Sequence, residues 1–266
     1  METGTITALG GVLGSAKLVE KILGPSAEYI GEQLKSWTQK KVENLSNIFT
    51  NAENKLGDRI NEEGSVSPKV LKEVLDEGAW CEERLQTEYF GGVLASSRTG
   101  ISRDDRGAYF AKLISRLSSY QLRLHYMIYH NIRHLFLGKE FNVGLPEERR
   151  KMEIYVSITS YFQSMDFEKE EIDNWNSILI HSIWGLDKDN LISTFSYGGV
   201  DHLKDKYSDV KEYGFIIQPS QLGIELYLWA YGLGISSCET IFKPSVKIDP
   251  IENIQIGKAI STKNND

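Results

Sequence analysis

Cysteine is nearly missing from this sequence, with only Cys81 and Cys238 in 266 residues. Two thiols exclude a disulfide framework and cannot build a metal cage unaided, and they point to a reducing, cytoplasmic compartment with both thiols unpaired. Long apolar runs are also missing. The uncharged stretch from Thr3 to Ala16 falls far short of the ~20 apolar residues a membrane helix needs. The start, METGTITALGGVLGSAKLVEKILG, lacks the basic leader of a secretory signal, and Gly10, Gly11 and Gly14 interrupt it. Positive charge is short as well. A net charge of −7 argues against broad nucleic-acid binding, which needs clustered Lys and Arg. No Walker A loop, G-x-G-x-x-G, G-x-S-x-G elbow or paired C-x-x-C occurs. No resident cofactor or metal is expected, and there is no internal repeat or low-complexity block.

What is present is amphipathic helix. Residues 102–137 form the most strongly periodic stretch. Phe110, Leu113, Ile114 and Leu117 recur at helical spacing, followed by Leu124, Met127, Ile128, Ile132, Leu135 and Phe136. Ser102 with Asp105 and Ser118 with Gln121 read as capping boxes, which divides the stretch into helices over about 103–117 and 119–137. The rest of the chain is expected to pack on this pair.

In chain order, residues 1–25 read as an amphipathic segment that docks on the body or on a partner. Gly10 and Gly14 form a G-x-x-x-G pair, and peripheral membrane contact is the alternative for this segment. After Gly24-Pro25-Ser26, the residues Ile30, Leu34, Trp37, Leu45, Ile48, Ala52 and Leu56 predict a long helix suited to a bundle arm or a dimer seam. Ser67-Pro68 opens another helix, and 81–98 a further one. Gly91-Gly92 inside that helix implies close contact, expected with the 102–137 pair. Residues 26–145 are therefore read as a helical body.

Beyond Pro146 the pattern changes. Ile154, Val156 and Ile158 alternate as in a strand. Helical signals follow at 169–184 and about 201–212. YGFIIQP then reads as a short strand ended by Pro219, and SQLGIELYLWAYG as a last helix. Residues 146–234 are read as a winged-helix-like α/β unit, and 235–266 as an irregular tail with one strand near Ser245–Ile248 and a disordered polar end, STKNND. The fold class is thus mainly α: a helical bundle with a long N-terminal helix and a C-terminal winged-helix-like unit.

Charge is unevenly spread. Residues 98–151 carry eleven Lys or Arg against five acids, a balance of +6, whereas 163–213 carry five against eleven, a balance of −6. Two oppositely charged lobes facing each other account for this, and an anion-binding surface on the central helices is the alternative.

Three stretches carry a family likeness: Gly24-Pro25-Ser26-Ala27-Glu28-Tyr29-Ile30-Gly31, Leu85-Gln86 through Val93-Leu94-Ala95-Ser96, and Ile217-Gln218-Pro219-Ser220-Gln221-Leu222-Gly223 through Gly232. In these the chain resembles the bacterial abortive infection alpha (Abi-alpha) family over about residues 20–235. The resemblance implies a prokaryotic, prophage- or defence-associated protein linked to phage exclusion. It supplies no catalytic residue, because the shared positions are packing, turn and core residues.

Few constellations remain that could carry chemistry. His130 and His134 share a helical face and would form one edge of a metal site, but no Glu or Cys adjoins them in sequence. His125, nine residues before His134, points elsewhere. Arg123 and His130, seven apart, resemble the Arg–His motif of helical HEPN ribonucleases, with Leu124 in place of the usual polar residue. A neutral imidazole would take a ribose 2′-hydroxyl proton while guanidinium stabilises the phosphorane. Asp104-Asp105 fits helix capping, and Asp201-His202-Leu203-Lys204 lacks a strand context for nuclease chemistry. Trp37, Trp80, Trp175, Trp184 and Trp229 are expected to be core or interface anchors. The leading functional expectation is a non-enzymatic protein that binds a phage or host protein and triggers growth arrest. A homodimer is compatible with it. The alternatives are a ribonuclease-like effector using Arg123 and His130, and a winged-helix DNA-binding regulator.

Overall fold

The computed structural model describes residues 39–263 except Ser102. The expected segment 1–25, the positions Ile30, Leu34 and Trp37, the Ser102 cap and residues 264–266 lie outside the described residues. The chain is mainly helical with one small antiparallel sheet. The described residues divide into two compact units, one within residues 39–116 together with 228–235, the other residues 117–227 with 236–263. The sequence-based boundary at 145 thus falls inside the second unit.

The described part of the first unit is built from α1 (Gln39–Leu56), α2 (Pro68–Gly78), α3 (Arg84–Ser97) and α4 (Arg106–Arg116). Leu45, Ile48, Ala52 and Leu56 of α1 are buried, as their spacing requires. Pro68 opens α2 at its first turn. In α3, Leu85, Tyr89, Val93 and Leu94 face inward. The glycines of that helix do mark close approach, but the partners differ from the expected ones. A Cβ at Gly91 would meet the Ile48 carbonyl at 2.9 Å, and one at Gly92 would lie 1.9 Å from the Ala230 carbonyl oxygen. The near neighbours are thus α1 and residue 230 rather than the 102–137 pair. Trp229 is fully buried and stacks on Phe110 at 4.6 Å between centroids, which makes it the core anchor expected.

The second unit is organised by α5 (Ser119–Phe136). Its start is the expected capping box: Ser118 Oγ accepts from Gln121 N, and Gln121 Oε1 accepts from Ser118 N. Leu124, Met127, Ile128, Ile132 and Phe136 are fully buried, each contributing on the order of 1.5–3 kcal/mol. After α6 (Pro146–Lys151) come β1 (Ile154–Ser157), α7 (Ile158–Met165), α8 (Lys169–Ile172), α9 (Trp175–Lys188), β2 (Ile192–Gly198), α10 (Val200–Leu203), β3 (Gly214–Pro219), α11 (Gln221–Ala230, of which residues 221–227 belong to this unit) and β4 (Ala259–Ser261).

The sheet order is β2-β3-β1-β4, all antiparallel. One face, carrying Phe195, Ile217 and Ile154 in register, lies on the side of α9, whose Trp184 meets Phe195 edge to face at 5.0 Å. The other face carries Ile216 and Tyr155, covered by Leu203 and Val210 with Val200 and Tyr207. β1 is shorter than its alternation suggests because Ser157 turns to cap α7, its side chain accepting from Ser160 N. A Cβ at Gly185 would strike Gln121 Nε2 at 1.7 Å, so α9 lies directly on the first turn of α5.

Two elements differ from expectation. Residues 245–248 form no strand, and the helix expected over 201–212 stops at Leu203. β2 stands where no strand was expected. The tail is more ordered than its composition suggests, because polar side chains of α5 hold it. Asn131 donates to the Gly257 carbonyl at 2.9 Å and accepts from Ala259 N at 2.8 Å, and the Tyr126 hydroxyl accepts from Ile251 N at 2.7 Å. Arg133, buried, donates to the carbonyls of Ile241 and Val246. Ser261 and Thr262, expected in the disordered end, sit in β4 and on Glu153 respectively.

Candidate functional site

The histidines of α5 have separate fates. His125 is completely buried, and its Nε2 lies 3.0 Å from the Gly223 carbonyl. Burial pushes its pKa down to about 3 against that hydrogen bond, so the ring is neutral and donates to the carbonyl. His130 is half-buried with Nδ1 3.2 Å from the Tyr227 hydroxyl. Burial, then the nearby His134 and Arg133, lower it to about 4. His134 is exposed. Among the described residues no group of three or more His, Cys, Asp or Glu gathers as a metal site.

Arg123 and His130 take different partners. The Arg123 guanidinium reaches the Ser164 carbonyl at 3.4 Å and the Asp166 carboxylate at 3.8 Å. His130 is held by Tyr227 of α11. The Arg123–Asp166 pair joins a cation of the basic stretch to an acid of the acidic one. Asp104 accepts from the Arg106 guanidinium at 2.8 Å and 2.9 Å and from its backbone N–H, in keeping with capping. His202 lies 3.1 Å from the Ser196 hydroxyl.

Two surfaces of the second unit carry exposed aromatic groups. At the start of α9, Trp175 lies between Phe162 at 5.8 Å and Tyr213 at 5.4 Å, all three half-buried. Ile172 beside them in sequence is 45% exposed. Glu170 and Asp173, both exposed, flank Ile172, and Glu212 adjoins Tyr213 and accepts from Thr159 at 2.8 Å. Further along α9, Trp184 is 53% exposed and touches Phe195, which stacks on Tyr197 at 6.2 Å.

Of the expected tryptophan anchors, Trp80 is 68% exposed, with Lys41 Nζ 3.6 Å from its ring centroid, and Trp184 is open as well. Both are therefore surface groups in this chain rather than core. Phe195, Tyr197 and Tyr213 were not candidates from the sequence. The Phe-Ser-Tyr alternation at 195–197 was the one signal for them.

Two clefts among the described residues are lined in part by polar side chains. One of 570 Å³ is lined by Tyr155, Tyr207, Asp209, Lys211 and Glu212, and one of 420 Å³ is a polar groove of Asn44, Asn47, Asn51 and Arg84 in the first unit. No described helix is long and apolar enough to cross a membrane. No protein-family model, curated protein or solved structure matches the chain.

Proposed function

We propose that this chain is a bacterial abortive-infection-type protein that acts by binding another protein, with Phe162, Ile172, Trp175 and Tyr213 as its recognition face. The observation that carries the reading is the half-open Trp175–Tyr213 pair, with the exposed Ile172 three residues before Trp175 and the acids Glu170, Asp173 and Glu212 close to these residues in sequence. Aromatic groups that stay open at a surface are the usual anchors of protein recognition. The acids beside them favour a partner that offers an apolar side chain with Lys or Arg around it. The defence role is supported by the Abi-alpha likeness at residues 24–31, 85–96 and 217–232.

The chain order of the second unit supports a winged-helix-like reading: helix α5, strand β1, helices α7 to α9, then β2 and β3 as an antiparallel pair with β3 beside β1. In that reading α9 stands where such modules present a helix to their ligand. With only Asp187 and Lys188 as charged residues, α9 favours a protein over DNA, whose phosphates call for clustered cations. The ribonuclease alternative keeps one supporting observation, a neutral His130 suited to a general base. Against it, Arg123 is engaged by Asp166 and Ser164.

A plaque assay with phage-challenged cells tests both. Wild type is expected to reduce plaque number. Ile172→Asp and Trp175→Ala are expected to abolish the reduction while the circular dichroism stays unchanged, and His130→Ala is expected to leave it intact. Protection that survives loss of Trp175 but not of His130 would overturn the reading in favour of the nuclease.

A further inference from the structure

We infer that the polar groove of the first unit is a site for an uncharged saccharide, in which side chains of α1 and the start of α3 hold hydroxyl groups and Trp80 stacks on a sugar ring. The inference goes beyond the recognition face proposed above and uses none of its residues.

Two ties between α1 and the chain after α2 bound the groove. At one end the helices touch: a Cβ at Gly91 of α3 would stand 2.5 Å from the Asn51 Cβ. At the other end Asn44 Nδ2 donates to the Ala79 carbonyl at 3.1 Å and to the Cys81 carbonyl at 2.7 Å. The space between is 420 Å³, within the ~300–1,000 Å³ usual for ligand clefts. Asn44, Asn47 and Asn51 line it at i, i+3 and i+7 of one helix, a row of amides about 10 Å long at ~1.5 Å per residue. A row of that length spans two linked sugar rings.

The lining selects the class of ligand. Every described side chain on it is polar: three asparagines, two threonines, two glutamates and one arginine. No apolar pocket receives the anchor of a peptide, and no cluster of cations receives a phosphate. Glu83 takes the Gln86 N–H in the capping box of α3, which leaves Glu82 and Arg84, one charge of each sign, on the open wall. Asn47 and Thr50 are exposed and Asn51 is half-buried, and their side chains make no hydrogen bond among the described residues. An asparagine amide carries a donor and an acceptor on adjacent atoms, and neighbouring hydroxyls of a sugar match that pair.

Trp80 extends the row. The two bonds from Asn44 go to the residues on either side of it and so fix its place at the groove's end. Lys41, three residues before Asn44 on α1, has its Nζ 3.6 Å from the ring centroid and covers one face. The residue is still 68% exposed, which leaves the other face open. An indole mounted in this way takes the C–H face of a sugar ring, while the ring's edge turns hydroxyls to the amides.

Saturation-transfer NMR on the full chain tests this, with neutral oligosaccharides of glucose, galactose, mannose and N-acetylglucosamine as probes at millimolar concentration. At least one is expected to receive saturation from the protein, and titration gives its Kd. Trp80→Ala and Asn47→Ala, both at exposed positions, are each expected to raise that Kd about fivefold or more with the circular dichroism unchanged. Trp184→Ala, in the second unit, is expected to leave it unchanged. Hexalysine and inorganic phosphate run beside the sugars as the competing chemistries. Absence of transfer to every saccharide, transfer that Trp80→Ala and Asn47→Ala leave intact, or binding of hexalysine or phosphate in place of the saccharides overturns the inference. The recognition face is read by plaque protection, so the two results can fail separately.

Discussion

Lowering the pH from 7.5 to 5.5 should destabilise the second unit through the buried imidazoles of α5. His125 has no exposed surface and a pKa held at about 3, whereas an unfolded histidine titrates near 6.5. A pKa depressed in the folded state gives stability that is present above the unfolded value and is lost as pH falls toward the folded one. At pH 5.5 the unfolded ring is mostly protonated and the folded ring is not, which favours unfolding by about 1.4 kcal/mol relative to pH 7.5. His130, lowered to about 4, adds a similar amount over the same interval, for a loss of roughly 3 kcal/mol from the two.

His125→Gln isolates one share. Glutamine keeps a donor for the Gly223 carbonyl but does not titrate, so the variant should lose about 1.4 kcal/mol less than wild type between the two pH values. Urea denaturation at both pH values, wild type against variant, measures this as a double difference, in which any constant cost of the substitution cancels. Wild type and variant losing equal stability would refute the reasoning, because it would mean that the folded ring takes up a proton as readily as the unfolded one.

Gly92→Ala should destabilise the first unit by about 3 kcal/mol or more, since the added carbon meets the Ala230 backbone rather than a movable side chain. Gly100→Ala, with open space around it, should change stability by no more than about 0.5 kcal/mol, and urea midpoints compare the two. Burial, with Glu225 and Glu239 nearby, raises the Cys238 thiol to about 11, and burial raises Cys81 to about 12. Alkylation of Cys238 at pH 8 should therefore run roughly two-hundred-fold slower than that of a free thiol with a pKa near 8.5. Iodoacetamide labelling followed by mass spectrometry checks this, and unfolding in urea should remove the difference.

Most helices were legible because their signals are local. The Ser118–Gln121 box, Pro68 at a first turn and the three- and four-residue apolar spacing of α1 and α5 each act within a turn or two. β1 and β3 were also visible, being short β-branched runs ended by Ser157 and Pro219. β2 was not, because four of its seven residues are Ser, Thr or Gly and its one-sided burial leaves only Phe195 and Tyr197 as an apolar alternation. The 201–212 stretch read as helix for the opposite reason. Val200, Leu203, Tyr207 and Val210 do recur at helical spacing, yet they cover one face of the sheet through a short helix and turns.

What periodicity could not give is which apolar residues stay uncovered. Ile172 continues the three-residue spacing of Trp175 and Ile178, yet it stays 45% exposed on a helix that buries none of its residues, and only the neighbouring elements decide that. The same holds for the polar residues. Asn131, Arg133 and Tyr126 look like the solvated face of a helix in sequence, but in the fold they hold residues 241–259 in place. Arg123 and His130 coincide on a helical wheel, yet one is drawn to Asp166 and the other to Tyr227, because the groups each meets come from segments more than forty residues away in the chain. A motif read along one helix specifies direction, and chemistry depends on what the rest of the chain brings to meet it. The aromatic surface at Trp175 is therefore a better guide to function here than the histidine spacing, since it joins residues from separate segments on an open face.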